Sequence, residues 1–344
     1  MDIVGGQAVQ AVRLIEHLKQ EPSVTVDFLP VNPRLPGVLR RLQSIKYVRT
    51  ITTSILYWLN LITKIPYFDV IHVFSASYFS FLLAPAPAII VARLFGKRIV
   101  LNYHSGEAED HLRRWPRTSI PLLKIADEIV VPSPYLVRVF AKFGLTAKAI
   151  FNVIDFNKLT FRKRGALRPL FLSNRNLEAH YGVDVVLRAF AIIQERFPSA
   201  SLKVAGEGAC RGALQDLAAE LNLSNVEFIG SVTRERMAEL YNQADCFLNG
   251  SRIDNQPLSI LESFASGLPV LTTNAGGIPD LVTDGETALV VAIDDHDALA
   301  RNAINLIEQP ELADRIVSKA RDECGRYTWE AVRNEWLNAY GASG

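Results

Sequence analysis

Two carboxylates, Asp254 and Glu262, stand eight residues apart at the head of the stretch 254–281, DNQPLSILESFASGLPVLTTNAGGIPDL. Pro257 suits the first position of a helix, where its missing N–H costs nothing. Gly267 and Pro269 stop that helix a little over two turns later. Leu258, Leu261 and Ala265 share one face at helical spacing, and Glu262 lies among them. A carboxylate in that company is costly unless something bonds to it. A buried strand from Leu268 to Thr273 follows, then Gly276 and Gly277, then a second helix opened by Pro279. Each strand–loop–helix unit points a helix N-terminus, with free N–H groups and partial positive charge, at the carboxyl edge of a sheet. The first such terminus, at Pro257, Leu258 and Ser259, is a ready phosphate site. Arg175, at the end of the run FLSNR, adds a guanidinium that fits phosphate bidentately and stays charged. The plainer alternatives are a salt-bridged Glu262 in an ordinary βαβ crossover and a strand-end ion pair for Arg175.

The elements that must hold these residues alternate along the chain. DVIHVFS (69–75), RIVLNYH (98–104), EIVVPS (128–133) and KAIFNV (148–153) read as strands with helices between them. A second series begins at Leu170 and includes SLKVAGEG, VEFIGSV, DCFLNGS and a last strand from Ala288 to Val291. Alternation at this spacing predicts parallel doubly wound sheets, whose ligands sit at the carboxyl ends of strands. His104 closes its strand at such an edge, before a Ser105–Gly106 turn. Gly206 and Gly230 close two others, and Thr233 is a good N-cap for a helix running to Ala244. At the start, a Gly5–Gly6 turn leads into a helix with Val9, Val12, Ile15 and Leu18 inward, and Val24–Leu29 alternates like a strand. Only Met1 to Val4 precede that turn, and four residues including an Asp cannot make a buried central strand. The first strand is therefore expected upstream of Met1.

The chain's 344 residues suit two domains. The division expected is 1–156, a basic linker over 157–168 with Lys158, Arg162, Lys163, Arg164 and Arg168, then 169–325, then a final helix over 326–344. A net charge of +1 gives no global field for nucleic acid. Cys210, Cys246 and Cys324 have no metal spacing and read as reduced thiols of a cytoplasmic protein. The uncharged run Ser75–Ala92 contains Pro85 and Pro87 and falls short of the ~20 apolar residues of a membrane span. Arg34–Lys64 carries six basic residues and no acid, with Leu39, Leu42, Ile45 and Val48 at helical spacing and Tyr47, Tyr57 and Trp58 among them. That pattern suits the surface of an anionic membrane, or else a solvated basic face.

Asp254 and Glu262, followed by FASGLPVLTTNAGGIPDLV, resemble the donor-site signature of the retaining glycosyltransferases of family 4. The family pattern is Glu, seven residues, Glu, then Gly-Leu-Pro-Val and Gly-Gly-x-Pro-Glu; here the first and last acids are Asp254 and Asp280. The resemblance implies the GT-B fold, α/β, two Rossmann-like domains facing across a cleft, with the last helix crossing back to the first domain. It implies transfer of a sugar from a UDP-, GDP- or ADP-sugar to a sugar or lipid-linked hydroxyl, in polysaccharide, lipopolysaccharide or glycolipid synthesis. No acidic pair such as Asp-x-Asp lies at a plausible strand end, so neither a metal nor another cofactor is expected. In that scheme Arg175 clamps the diphosphate, Glu262 bonds the ribose, and Asp254 holds a sugar hydroxyl. His104 touches the donor sugar, Gly206 flanks the base, and the loop after Gly230 covers the nucleotide. Gly5 and Gly6 approach acceptor or donor, and Pro257, Leu258 and Ser259 supply the helix N-terminus. One position departs from the pattern: Tyr181 stands before Gly182 where the family places a Lys. A sugar-nucleotide epimerase, or an inactive sugar-nucleotide-binding protein, are the alternatives.

Overall fold

A computed structural model describes residues 6–33, 35, 45–75 and 77–342. The chain divides into two compact units, one of residues 7–150 together with the stretch from Arg333, the other chiefly of residues 151–332.

In the first unit four parallel strands follow one another in sheet order: β1 (Val70–Phe74), β2 (Arg98–Asn102), β3 (Glu128–Val131) and β4 (Lys148–Ala149). β2 is almost wholly buried, as expected of a strand covered on both faces. The helices are α1 (Gly6–Leu18), α2 (Lys46–Lys64), α3 (Tyr78–Leu83), α4 (Pro85–Leu94), α5 (Ala108–Arg114), α6 (Pro116–Leu123) and α7 (Pro134–Ala141). Phe81, Ile89, Leu101, Tyr103, Leu112, Leu136 and Phe140 form their shared core. Residues from Arg333 on join this unit: Arg98 Nε donates to Ala339 O at 2.9 Å, Arg333 Nε to Glu21 Oε1 at 2.7 Å, and Trp336 and Tyr340 stack near His72.

Several expectations change here. Val24–Leu29 is not a strand, because alternation alone cannot make one without a hydrogen-bonded neighbour. Its backbone has no regular structure, and Phe28 N donates to the preceding Asp27 Oδ1 at 2.8 Å. The inner face of α1 is Ala11, Leu14 and Leu18, with Val9, Val12 and Ile15 only half-buried. β4 spans two residues where six were expected, although Ile150 N still reaches Val131 O at 2.9 Å. The segment Met1–Gly5, on which the missing-strand expectation turns, lies outside the described residues, as do residues 36–44 of the basic stretch.

The second unit is a six-stranded parallel sheet in the order β10-β9-β8-β5-β6-β7. Its strands are β5 (Leu170–Asn174), β6 (Ser201–Ala205), β7 (Val226–Gly230), β8 (Cys246–Leu248), β9 (Val270–Thr273) and β10 (Leu289–Val291). Helices α8 (Val183–Arg196), α9 (Arg211–Glu220), α13 (His296–Glu308) and α14 (Pro310–Glu323) contribute to one core, with Phe190, Ile193, Leu299, Leu306 and Ile316. α10 (Arg234–Gln243), α11 (Leu258–Ala265) and α12 (Ile278–Leu281) form another with Tyr241, Leu261, Phe264 and Ile278. Residues 157–168, expected to link two domains, are fastened into this unit. Asp245, 2 % exposed, takes bonds from Arg162 and from Arg168, whose Nε lies 2.8 Å from Oδ2. Arg164 is buried and donates to the carbonyls of Tyr241, Ala244, Ser266 and Gly267 at 2.7–2.9 Å. Burial pushes the Asp245 carboxyl up, but the bonds from Arg168 and Arg162 outweigh it and hold the group below the usual range.

Candidate active site of the second unit

The chain leaves β5 toward β6 and β7 on one side, then returns to lay β8, β9 and β10 on the other. The order reverses between β5 and β8, and ligands of such sheets bind outside the carboxyl ends at that point. Arg175 is the first residue after β5, and Asp254 lies six residues after β8. Asp254 Oδ2 forms an ion pair with Arg175 Nη2. Arg175 Nη1 donates to Ser259 Oγ at 3.4 Å, and the guanidinium carbon lies 4.2 Å from the centre of the Tyr181 ring. The Nε of Arg175 is buried with no hydrogen-bond partner among the described residues. A buried, charged donor without a partner is costly, and an anion is what it accommodates.

Pro257 is the N-cap of α11, with extended backbone, and Leu258 is its first helical residue. Pro257 was expected one place further in. α11 is also buried on more faces than one apolar stripe requires, because Ser259 and Ser263 are small and Ser263 Oγ closes back on Ser259 O at 2.7 Å. Its first N–H groups have no intrahelical acceptor. Glu262 is half-buried one turn in, and Oε2 accepts from Tyr241 Oη at 3.0 Å. Tyr241 Oη in turn accepts from Asn174 Nδ2 at 3.0 Å. Burial, then the Glu262 charge, keeps the Tyr241 hydroxyl protonated. Glu262 is thus tied through Tyr241 to the residue before Arg175.

The loops holding these groups come very close to one another. Gly206, just past β6, has φ +138°, and a Cβ there would lie 2.0 Å from Arg175 O. Gly276 has φ +53°, and its Cβ would lie 2.1 Å from Asp254 O, while Gly277 N donates to that oxygen at 2.9 Å. Only glycine permits either approach. Gly230 ends β7 and accepts from Gly206 N at 2.9 Å. Ser251 Oγ donates to Asn249 Oδ1 at 2.8 Å and also reaches Asp254 Oδ2 at 3.3 Å. Arg252 pins the segment carrying Tyr181: its N donates to His180 O at 2.8 Å and its guanidinium to Asp184 at 2.7 and 2.8 Å.

Arg175, Asp254, Pro257, Leu258, Ser259, Glu262, Gly206 and Gly230 therefore belong to one unit; Arg175, Asp254 and Ser259 share one bonded network, and Glu262 shares a second with Tyr241 and Asn174. His104 belongs to the other unit, two residues beyond β2, with its ring 5.8 Å from that of Phe74. Burial holds it down to about 4, so it is neutral at pH 7. Gly6 begins α1, and Gly5 lies outside the described residues. Tyr241 and Arg252 were missed as supports, since each acts on residues of another element, and Ser251 because only the folded loop brings its hydroxyl to Asp254. Among the described residues no group of three His, Cys, Asp or Glu could hold a metal ion.

A parallel sheet whose order reverses is a doubly wound α/β architecture, with its ligand crevice outside the carboxyl ends at the reversal. The pattern of Glycosyltransferase Family 4 matches residues 4–158, and that of Glycosyl transferases group 1 matches 158–323. The chain belongs to the family 4 glycosyltransferases and has the GT-B fold. It is 25 % identical over 322 residues to the sulfoquinovosyl transferase SQD2 of Arabidopsis thaliana, which covers 85 % of this chain and 61 % of that protein. It is 30 % identical over 247 residues to a GDP-mannose-dependent alpha-(1-6)-phosphatidylinositol monomannoside mannosyltransferase of Mycolicibacterium smegmatis, covering 65 % of this chain and 64 % of the other. The chain thus spans somewhat under two thirds of these relatives. Anabaena Alr3699/HepE, solved with UDP and glucose, has a similar fold, with a TM-score of 0.73 at 18 % identity over 84 % of this chain and 82 % of that one.

Proposed function

We propose that the protein is a retaining, metal-independent glycosyltransferase that uses a nucleoside-diphosphate sugar. The observation that carries this reading is Arg175: a guanidinium with a buried unpartnered Nε, beside the N-terminus of α11, at the point where the sheet reverses. The donor diphosphate takes Arg175 and the first N–H groups of α11, and it competes with Asp254 for the guanidinium. Glu262 bonds the ribose hydroxyls, Asp254 a hydroxyl of the transferred sugar, and Gly206 leaves room for the base. The bond from the sugar's anomeric carbon to the diphosphate breaks, and the acceptor oxygen bonds to that carbon on the same face. The acceptor proton passes to an oxygen of the departing diphosphate. Stabilising that diphosphate is the main task of the site. The acceptor is a sugar or lipid-linked hydroxyl, consistent with the phosphatidylinositol-based acceptor named for the mycobacterial relative. Free Cys210, Cys246 and Cys324 support a cytoplasmic setting.

Thermal unfolding of wild type and Glu262→Gln with UDP-, GDP- and ADP-sugars tests the reading. One donor should stabilise wild type, by about 2.7 kcal/mol at a hundred times its Kd. Gln keeps an acceptor for Tyr241, so the variant should fold normally while binding that donor roughly tenfold more weakly. Equal stabilisation of both proteins by every donor, or of neither, refutes the assignment.

A further inference from the structure

The two faces of α2 have opposite surroundings. Tyr57 and Leu61 are buried against the first unit, with Ile65 just beyond the helix. Tyr47, Ile51, Ile55 and Leu59, at successive intervals of four, are 76, 60, 55 and 54 % exposed, and Trp58 and Ile62 lie exposed beside them. At ~1.5 Å per residue the stripe from Tyr47 to Ile62 runs about 22 Å. α4 lies alongside. Tyr57 Oη donates to Ala84 O at its start, at 3.2 Å, and Lys97 Nζ donates to Pro66 O beyond its end, at 2.8 Å. The two helices therefore run in the same direction, which brings exposed Leu94 and Phe95 level with the end of α2. An apolar surface of this extent on a folded unit marks something that covers it.

Charge selects what covers it. α2 carries Lys46, Arg49 and Lys64 and no acid, and Asp27, at its end, is already paired with Lys64 Nζ at 3.1 Å. A second copy of this face would set like charges together with no acid in the segment to pair them. No helix among the described residues is long and apolar enough to cross a membrane. We propose that α2, with the end of α4, lies in the surface of an anionic lipid bilayer, its stripe among the acyl chains and its basic residues at the headgroups. Tyr47 and Trp58 are the side chains whose rings suit the boundary. The proposal rests on the glycosyltransferase reading only for its purpose, access to a lipid-linked acceptor; the docking face stands on its own residues.

The test is vesicle flotation of the whole protein with phosphatidylcholine alone and with phosphatidylcholine plus phosphatidylglycerol. Wild type should float with the mixed vesicles only, and less as salt rises. Joint Ile55→Glu and Leu59→Glu should weaken recovery roughly tenfold or more, and Arg49→Ala about fivefold. Brominated acyl chains should quench Trp58, read as the quenching lost in Trp58→Phe. None of these positions belongs to the donor site, so donor-induced thermal shifts should match wild type, which separates failure of docking from failure of the catalytic reading. Equal recovery on neutral vesicles, or of the Ile55→Glu/Leu59→Glu variant and wild type, overturns the proposal. So does a vesicle-independent dimer, by sedimentation equilibrium, that the same two substitutions dissociate.

Discussion

Arg175 is held from three sides, by the Asp254 carboxylate, the Ser259 hydroxyl and the Tyr181 ring. The Tyr181 ring packs over the guanidinium, a cation on an aromatic face, at the position where the family pattern has a second cation. In the proposed role, Arg175→Ala removes a charge whose bond would strengthen as the diphosphate departs. Its loss should fall mainly on kcat, on the order of 2–4 kcal/mol; a loss confined to acceptor KM would contradict the role. Tyr181→Phe keeps the ring and should stay near wild type, whereas Tyr181→Ala should cost ~1 kcal/mol in kcat/KM. If Phe and Ala behaved alike, stacking would not be what Tyr181 contributes. Arg175, Asp254 and Glu262 could be picked out in advance because their spacing within βα units is a local property. Tyr241 could not, because its hydroxyl matters only once α10 brings it between Asn174 and Glu262.

Among the elements, strands made of uninterrupted Val, Ile and Leu were legible, since a run apolar on both faces fits a covered parallel strand and little else. Val24–Leu29 had the right alternation but pairs with no strand among the described residues, a fact no local window contains. The near-complete burial of α11 was also hidden, because its serines look solvent-facing until Ser263 bonds back to Ser259 O. The loops after β8 and β9 depend on contact between backbones. Gly276→Ala combines a positive φ with a Cβ 2.1 Å from Asp254 O. It should cost more than ~1 kcal/mol of stability and displace Asp254, lowering donor affinity as well. Unfolding midpoints and donor titrations check both, and an Ala variant with wild-type midpoint and affinity would refute the constraint.

Across the whole molecule, acid should act first on the unit of residues 7–150. Burial holds His104 and His111 at about 4, and burial with the charge of nearby His104 holds His72 at about 3. In the unfolded chain these rings protonate near pH 6.5. Between those values the unfolded state binds more protons, so stability drops as pH falls from about 6.5 toward about 4. The slope is at most ~1.4 kcal/mol per pH unit for each ring. Urea midpoints measured down to about pH 5 should fall steadily over this window; a flat or rising midpoint would contradict the buried neutral state.

The arginines around Asp245 also decide where the molecule can be cut. A fragment begun at Pro169, the boundary that composition suggests, would lack Arg162, Arg164 and Arg168 and leave a buried carboxylate with none of its cations. Stranding such a charge costs about 3–5 kcal/mol, a large part of a domain's stability. A fragment begun at Phe151 keeps all three. The second unit should therefore be separable only with its upstream strap attached, and the proposed donor site could then be studied apart from the basic helix.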